Sequence, residues 1–557
     1  MADYQRLGAA PVSELAREER VRTRDGVHLA TDVYLPSAGD GTRDDSPGDT
    51  ILIRLPYDKN GEYTFIPLVA EYFLQHGYRV VAQDVRGKFR SEGEALLFVN
   101  EVRDGEDTLD WIVAQAWSNG RVAMWGDSYY GYTQWAAAAS GHPALRAIAP
   151  RVTGTGLGEP VHRDPGTRVR AVEMGITNMY PLTHFHGSDT FLWEPDWSRR
   201  DIEAQAEAFQ EWAGARSRSY DQWVPHPVTL PRFPNGSAFA GRSVPVLHTI
   251  GWWDNCAPLS WADVEEIKQF PAWDAHHYLR IEAIDHESYQ FVEADGDRVA
   301  ERNEQQIRAI LPRTLDPALA FFEVFVRGEG SIVDIPRVAW QLAGTAEERT
   351  EPAWPPAGSQ SVTRYATDSG GLSPEHPVEA RERTWVHDPE DLVPSTAPDA
   401  FSYLLYLPDE APLGERGDVL VFTGPEQTED VELAGPVGAR VRVRSTGPIM
   451  DCFVRVLDVA PDGTAVRIAR GQQQLHDARD AATLEIDLGH IGYRLRSGHR
   501  LRVHVSSSDY PEFLPQPGTG RDPWTDGVET VPNTQTLIIG GSDALAIELP
   551  VVKGELA

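Results

Sequence analysis

The stretch "RVAMWGDSYYGYTQWAAAAS", residues 121–140, constrains the fold more than any other part of the chain. The run "RVAMWG" is typical of a short buried strand, and the Ala-rich run "YTQWAAAAS" is typical of a helix. Ser128 lies between them, with Gly126 two residues before it and Gly131 three residues after it. Glycines beside such a turn let the strand and the helix approach closely. The stretch therefore has two interpretations: a nucleophile elbow, or a serine that only caps the helix.

The pattern of apolar, aromatic and turn residues changes three times along the sequence and divides the chain into segments. Strand and helix patterns alternate over residues 1–150 and return over 245–334, which predicts a largely parallel sheet covered by helices on both faces. Residues 151–244 are rich in Trp, Tyr, His and Pro and contain a helix pattern, "DIEAQAEAFQEWAGAR", so we expect an inserted helical cap. Residues 335–557 show short alternating strands with Pro, Gly and Asp turns, which predicts a C-terminal β-sandwich.

Composition excludes several functional classes. The net charge of −33 argues against nucleic acid or an anionic membrane surface as a partner. No apolar run approaches the roughly 20 residues of a membrane helix, and the polar N-terminus lacks a signal-peptide pattern, so we expect a cytoplasmic enzyme. The two cysteines, Cys256 and Cys452, are too few and too distant for a zinc site of their own or a structural disulfide. A homo-oligomer is compatible with the sequence.

A candidate catalytic triad follows from chain order. A serine hydroxyl becomes a nucleophile only when a base takes its proton, and the base needs an orienting carboxylate. In α/β-hydrolases the acid and then the histidine follow the serine, at the ends of later strands. Asp254 follows the strand pattern ending in "GWWDN", and His286 follows the one ending in "RIEAIDH". The sequence therefore predicts Ser128, Asp254 and His286 at one edge of an α/β-hydrolase sheet, although an Asp in a turn and a packed His are the ordinary alternatives.

Two tyrosines are candidates for the oxyanion hole. Tyr57 ends an early strand in "RLPYDKN", where its hydroxyl is able to face the elbow, and the backbone N–H of Tyr129 is the second candidate donor. Packing of Tyr57 under the cap is the alternative. His184 and His186 in "LTHFHG" have a metal-like spacing, but without a third ligand we expect them in a cap wall and expect no metal site.

Several motifs together resemble one family. The segments "RDGVHLATDVYLP", "LPYDK", "QDVRGKFRSEGE", "GRVAMWGDSYYGYTQW" and "GWWDN" closely resemble the family of cocaine esterase and X-Pro dipeptidyl-peptidases. That family also contains α-amino-acid ester hydrolases. The likeness continues through "LRSGHRLRVHVSSSDYPEF", similar to the family's C-terminal jelly-roll domain. The elbow uses the family's G-x-S-x-x-G spacing.

The resemblance implies specific roles. It matches Ser128, Asp254 and His286 to the family's triad, and Tyr57 with the Tyr129 amide to its oxyanion hole. One departure is that many relatives have Gly-Pro-Trp just before the histidine, where this chain has residues 283–285 as Ala-Ile-Asp. Cys256 falls where relatives place an acyl-pocket residue, and a small core residue is the alternative interpretation.

These observations predict a serine hydrolase that needs no cofactor. We expect it to cleave a small-molecule ester, or an activated amide, through an acyl-enzyme intermediate. An acyltransferase on the same machinery, an X-Pro dipeptidyl-peptidase, an α-amino-acid ester hydrolase and a binding protein on an inactive scaffold are the alternatives. We expect an uncharged acyl group of small to medium size rather than an X-Pro peptide. X-Pro peptidases of this resemblance commonly carry a large N-terminal domain ahead of the core, whereas here the family-like segment begins only about twenty residues into the chain. The resemblance to α-amino-acid ester hydrolases implies an ammonium-binding carboxylate cluster, and no such cluster is identifiable in the sequence. The aromatic residues of the predicted cap, equally interpretable as cap core, are consistent with apolar walls: Tyr180, Phe185, Trp193 and Trp197.

Overall fold

The computed structural model describes residues 8–37, 43–158, 196–214, 216–223, 231–286, 303–396, 407–525, 527–541 and 544–557. Its first part is built on one ten-stranded sheet with the order β1-β2-β4-β3-β5-β6-β7-β8-β9-β10. The strands are β1 (Ala16–Arg22), β2 (His28–Tyr34), β3 (Gly48–Leu55), β4 (Arg79–Asp84), β5 (Ser118–Asp127), β6 (Leu145–Arg151), β7 (Val246–Gly251), β8 (His277–Glu282), β9 (Val338–Gln341) and β10 (Glu348–Glu351).

The middle of this sheet is parallel. All neighbours from β4 through β3 and β5 to β9 run in the same direction, and β1, β2 and β10 add antiparallel edges. Strand β3, "GDTILIRL", is buried along its whole length, as expected for a parallel strand covered on both faces. Because parallel strands end at the same edge, the segments after β3, β5, β7 and β8 meet there.

Helices cover both faces of the sheet. They are α1 (Ile66–Gln75), α2 (Glu101–Val113), α3 (Ser128–Ala139), α4 (Ile202–Ala213), α5 (Arg218–Trp223), α6 (Ala257–Ile267), α7 (Pro271–Asp274) and α8 (Glu304–Phe322), with further helical turns at Glu323–Arg327, Ile332–Asp334 and Ala411–Glu415. Helix α3 is buried from Tyr129 to Ala139, which explains a run of small alanines without an amphipathic pattern. Helices α4 and α5 are the helices that the structure describes within the predicted cap, 151–244.

The C-terminal part is all β and almost entirely antiparallel. One sheet has seven strands and a second has four, in the order β14-β19-β16-β17. The strands are β11 (Gln360–Ala366), β12 (Leu372–Ser373), β13 (Arg381–His387), β14 (Leu420–Glu426), β15 (Val431–Ser445), β16 (Ile449–Val459), β17 (Ala465–His476), β18 (Ala482–Leu495), β19 (Arg500–Ser506), β20 (Asn533–Ile539) and β21 (Ala546–Lys553). Apolar side chains of both sheets form one core, so the two sheets pack face to face.

The predicted fold class, an α/β-hydrolase followed by an all-β domain, is confirmed. The α/β sheet extends through β9 and β10 to Glu351, past residue 334, where the change in sequence texture placed the end of the core. The division at 151–244 and 335–557 stays a prediction. In the described ranges, no helix combines the length and the apolarity that crossing a bilayer requires.

Candidate active site

The turn from β5 into α3 has the geometry of a nucleophile elbow. Asp127 is extended, and Ser128, the first residue of α3, has a φ of 50°. A left-handed backbone is uncommon for a residue other than glycine and marks local strain. The sharp turn leaves Ser128 only partly buried, whereas Tyr129 behind it is fully buried.

Two glycines make this turn sterically feasible. A Cβ atom on Gly126, whose φ is 151°, would lie 2.1 Å from the ring of Tyr130. A Cβ atom on Gly131 would lie 2.6 Å from the Thr153 methyl carbon and 3.1 Å from the Arg151 carbonyl oxygen. Both positions therefore require glycine, because α3 and the neighbouring strands approach too closely for a side chain.

The three residues of the predicted triad lie within hydrogen-bond distance in series. His286 Nε2 is 2.9 Å from Ser128 Oγ, and His286 Nδ1 is 2.7 Å from Asp254 Oδ1. Asp254 follows β7 and also accepts a hydrogen bond of 3.0 Å from the backbone N–H of Cys256. The side chains of His286 and Asp254 are almost completely buried. The arrangement lets the imidazole take a proton from Ser128 while the carboxylate holds its other nitrogen.

The surroundings of His286 favour its protonated form. Burial alone would lower the pKa of His286, but the adjacent Cys256 and the Asp254 carboxylate outweigh burial and raise the pKa well above its usual range. Only the neutral imidazole accepts the serine proton, so the raised pKa makes His286 a stronger base once it has lost its own proton. Cys256 is itself fully buried, and one ligand atom from each of Asp254, Cys256 and His286 lies within 4.8 Å of the others.

Tyr57 lies in the segment after β3, next to the elbow. Its ring packs edge-on against Tyr130 with centroids 6.2 Å apart, and the residue is 6% exposed. Lys59, two residues later, is completely buried and forms ion pairs of 3.1 Å with Asp84 and 3.6 Å with Asp32. These contacts fix the segment that carries Tyr57 against β4 and β2.

The side chain of Tyr129 anchors the start of α3. Its hydroxyl donates to Glu101 Oε1 at 2.8 Å and accepts from the Phe98 N–H at 2.7 Å. Burial, more than the nearby Glu101 carboxylate, raises the pKa of the phenol well above its usual range, so it stays protonated as a donor. The Tyr129 N–H belongs to the first turn of the helix, whose amides commonly bind anions.

A buried chain of charged side chains at the carboxyl ends of the strands was not anticipated. Arg151 donates to Asp127 at 2.9 Å and to Glu282 at 3.4 Å, and Glu282 also pairs with Arg280 at 2.5 Å. The chain links the residue before Ser128 on β5 with the strand that leads to His286. The sequence signal for this chain was a charged residue at the end of a buried strand, Arg151 in "IAPR" and Glu282 in "RIEAIDH". Buried charges are rare unless they are paired.

Of the residues that the sequence singled out in the predicted cap, the structure describes only Trp197. His184 and His186, together with Tyr180, Phe185 and Trp193, lie outside the described residues. Trp197 is described, and its carbonyl accepts a hydrogen bond of 2.8 Å from the Tyr510 hydroxyl. Its ring also packs edge-on against Tyr510, 6.0 Å between centroids. Trp197 therefore contacts the C-terminal domain.

Comparison with known proteins identifies the family of the chain. Residues 25–286 match the family model of X-Pro dipeptidyl-peptidase (S15 family), and residues 332–543 match that of the X-Pro dipeptidyl-peptidase C-terminal non-catalytic domain. The chain belongs to the S15 and cocaine esterase family of serine hydrolases. This family member is 29% identical to cocaine esterase of Rhodococcus sp. (strain MB1 Bresler), over 91% of this chain and 93% of the esterase.

Solved structures agree on the fold of this S15-family member. An aminopeptidase from a marine sediment archaeon, Thaumarchaeota archaeon, superposes with a TM-score of 0.77 at 21% identity, covering 98% of each chain. An α-amino acid ester hydrolase superposes with a TM-score of 0.77 at 22% identity, covering 97% of this chain and 98% of the other. At these identities the likeness shows the shared two-part architecture.

Proposed function

We propose that this protein hydrolyses a carboxylic ester, or an activated amide, through an acyl-enzyme intermediate on Ser128. The observation that carries the proposal is the hydrogen-bonded series from Ser128 through His286 to Asp254, at a strained elbow. A serine that only capped α3 would require neither a left-handed φ nor a buried histidine and carboxylate in line with its hydroxyl.

The proposed mechanism uses the chain's own residues at every step. His286 Nε2 takes the hydroxyl proton as Ser128 Oγ attacks the carbonyl carbon, and Asp254 holds Nδ1 and stabilises the imidazolium. The imidazolium then protonates the leaving group, and the acyl group remains on Ser128. Water attacks the acyl-enzyme after giving a proton to His286, which returns it to Ser128 as the acid product leaves.

Tyr57 and the Tyr129 amide are the proposed oxyanion donors. Tyr57 is supported by its position after β3, the strand next to β5, and by its packing against Tyr130. Tyr129 is supported by its place directly after the nucleophile, with a phenol that is hydrogen-bonded on both sides. Donors held in this way need no rearrangement as negative charge develops on the carbonyl oxygen.

The proposed substrate has an uncharged acyl group of small to medium size. Support comes from the similarity to an esterase over 91% of this chain and from three uncharged residues near the triad, namely Tyr57, Tyr130 and the buried Cys256. Neutral side chains of this kind favour apolar substrate groups.

The test compares kcat/KM on matched neutral acyl esters, α-amino esters and Xaa-Pro anilides. The proposal expects the neutral esters to be best, and a tenfold preference for the Xaa-Pro anilide, about 1.4 kcal/mol in the transition state, would instead indicate a peptidase. Ser128→Ala is the control for the nucleophile, with a loss of kcat on the order of a millionfold. If that variant retained more than about a hundredth of the activity, another nucleophile would be responsible.

A further inference from the structure

Three different ligand types converge beside the proposed nucleophile. Cys256 follows Asp254 by two residues, and its side chain contacts His286. One ligand atom from each of Asp254, Cys256 and His286 lies within 4.8 Å of the other two, and all three side chains are buried. Asp254 uses Oδ1 for its hydrogen bonds to His286 and Cys256, whereas its buried Oδ2 has no hydrogen-bond partner in the part of the chain that the structure describes.

An unsatisfied buried carboxylate oxygen next to a thiol and an imidazole is a costly arrangement unless something binds there. A sulfur, a nitrogen and an oxygen ligand form a set that suits Zn²⁺, a borderline-soft ion that prefers four ligands in a tetrahedron. The fourth position is then open to water, on the Nδ1 side of His286, where Asp254 Oδ1 lies 2.7 Å away.

We propose that Asp254, Cys256 and His286 form an inhibitory binding site for Zn²⁺. Binding releases to solvent the thiol proton of Cys256, and the Nδ1 proton of His286 where the imidazole is protonated, in exchange for metal–sulfur and metal–nitrogen bonds. With the ion on Nδ1, the neutral imidazole carries its proton on Nε2, which then has no lone pair for the serine proton. A carboxylate that coordinates the ion no longer orients the base. The ion therefore stops turnover without any change of fold. Inhibition rests on the proposed role of His286, but metal binding does not.

The second cysteine provides an internal control. Cys452 lies on β16 in the core of the C-terminal domain and is fully buried among apolar side chains. Burial raises the pKa of its thiol to about 12, so it remains a protonated thiol. It belongs to none of the His, Cys, Asp and Glu clusters found among the described residues.

Co²⁺ is the direct probe of the site, because a cobalt–thiolate bond produces a charge-transfer band in the near ultraviolet. The titration is done on the Ser128→Ala protein, where turnover plays no part. We expect the band at one ion per chain, its retention in the added variant Cys452→Ser, and its loss in Cys256→Ser. No band on the chain with both cysteines intact would overturn the proposal, whether or not the Cys256 variant folds.

Inhibition is tested separately on the active protein with Zn²⁺ and an ester substrate. We expect reversible inhibition that EDTA relieves, and a rise of roughly tenfold or more in the inhibitory Zn²⁺ concentration for Cys256→Ser or Cys256→Ala. Cys452→Ser should be inhibited like the unaltered protein. Equal inhibition of the Cys256 and Cys452 variants would overturn the inhibitory site. Turnover by Ser128→Ala would refute the proposed function and leave the cobalt result standing.

Discussion

Tyr57 is the residue whose proposed role is most sensitive to a single atom. Phenylalanine at this position keeps the ring that packs against Tyr130 and removes only the hydroxyl. We expect Tyr57→Phe to lower kcat by two to three decades, about 3 to 4 kcal/mol, with little change in KM, because an oxyanion donor acts mainly in the transition state. The control is Tyr63→Phe, a half-exposed neighbour whose ring lies 5.8 Å from that of Tyr57. A change in KM alone would make Tyr57 a pocket wall.

Asp451 is a buried carboxyl group on β16 far from the triad in sequence. Its burial raises the pKa to about 7, despite hydrogen bonds from Gln474 and Gln516 that lower it. The folded protein therefore holds a proton that the unfolded chain releases near pH 4, and stability falls as pH rises from about 4 to about 7.

Asp451→Asn removes this titration. We therefore expect it to increase the free energy of unfolding at pH 8, by on the order of a few kcal/mol at most, and so to raise the thermal midpoint at that pH. The gain should shrink as pH falls toward 5. Midpoints at a fixed scan rate measure it, with the exposed Asp480→Asn as control. An equal effect of Asp451→Asn at both pH values would contradict the raised pKa.

At the scale of elements, the buried charges of Asp127, Arg151 and Glu282 tie β5, β6 and β8 together at the edge that carries the triad. Removing one partner leaves another buried charge incompletely paired, which typically costs about 3 to 5 kcal/mol. Because Arg151 still forms its ion pair with Glu282, we expect the loss of stability in Asp127→Asn to lie at or below the lower end of that range.

Thermal midpoints of Asp127→Asn and of a surface control measure this effect. The control is Glu382→Gln, which breaks the exposed pair with Arg444 and should leave the thermal midpoint nearly unchanged. Equal midpoints for the two variants would mean that the buried chain contributes no more than a surface ion pair.

Some of the strands, helices and ion pairs could be predicted from the sequence and others could not. The strand, turn and helix around Ser128 were predictable, because their glycine spacing and apolar runs are local signals. Strands β9 and β10 were not, because four-residue strands such as "VAWQ" show their sheet only through pairing with β8. The ion pairs that join Asp127, Arg151 and Glu282 were not predictable for the same reason. In sequence, Asp127 is 24 residues and Glu282 is 131 residues from Arg151.

At the scale of the molecule, aromatic residues join the α/β and all-β parts. Trp261 stacks on His490 with centroids 3.8 Å apart, and the Trp354 indole N–H donates to His490 Nδ1 at 3.0 Å. Burial lowers the pKa of His490 to about 4, so a neutral ring accepts this bond. Trp252, two residues before Asp254, packs against Trp354 at 5.5 Å. The C-terminal domain therefore supports the segment that carries the proposed catalytic acid.

The family was recognisable from motifs that place side chains at the sheet edge, and the C-terminal domain from its strand texture. The contacts between Trp261, Trp354 and His490 were not predictable, because nothing local in a sequence indicates which tryptophans meet across two domains.

Covalent labelling with a fluorophosphonate, followed by peptide mass mapping, tests whether Ser128 is a nucleophile activated by His286. We expect one adduct per chain, on the peptide that contains Ser128, with labelling abolished in Ser128→Ala and greatly slowed in His286→Ala. An adduct on another residue, or full esterase activity in a protein whose Ser128 is completely labelled, would contradict it.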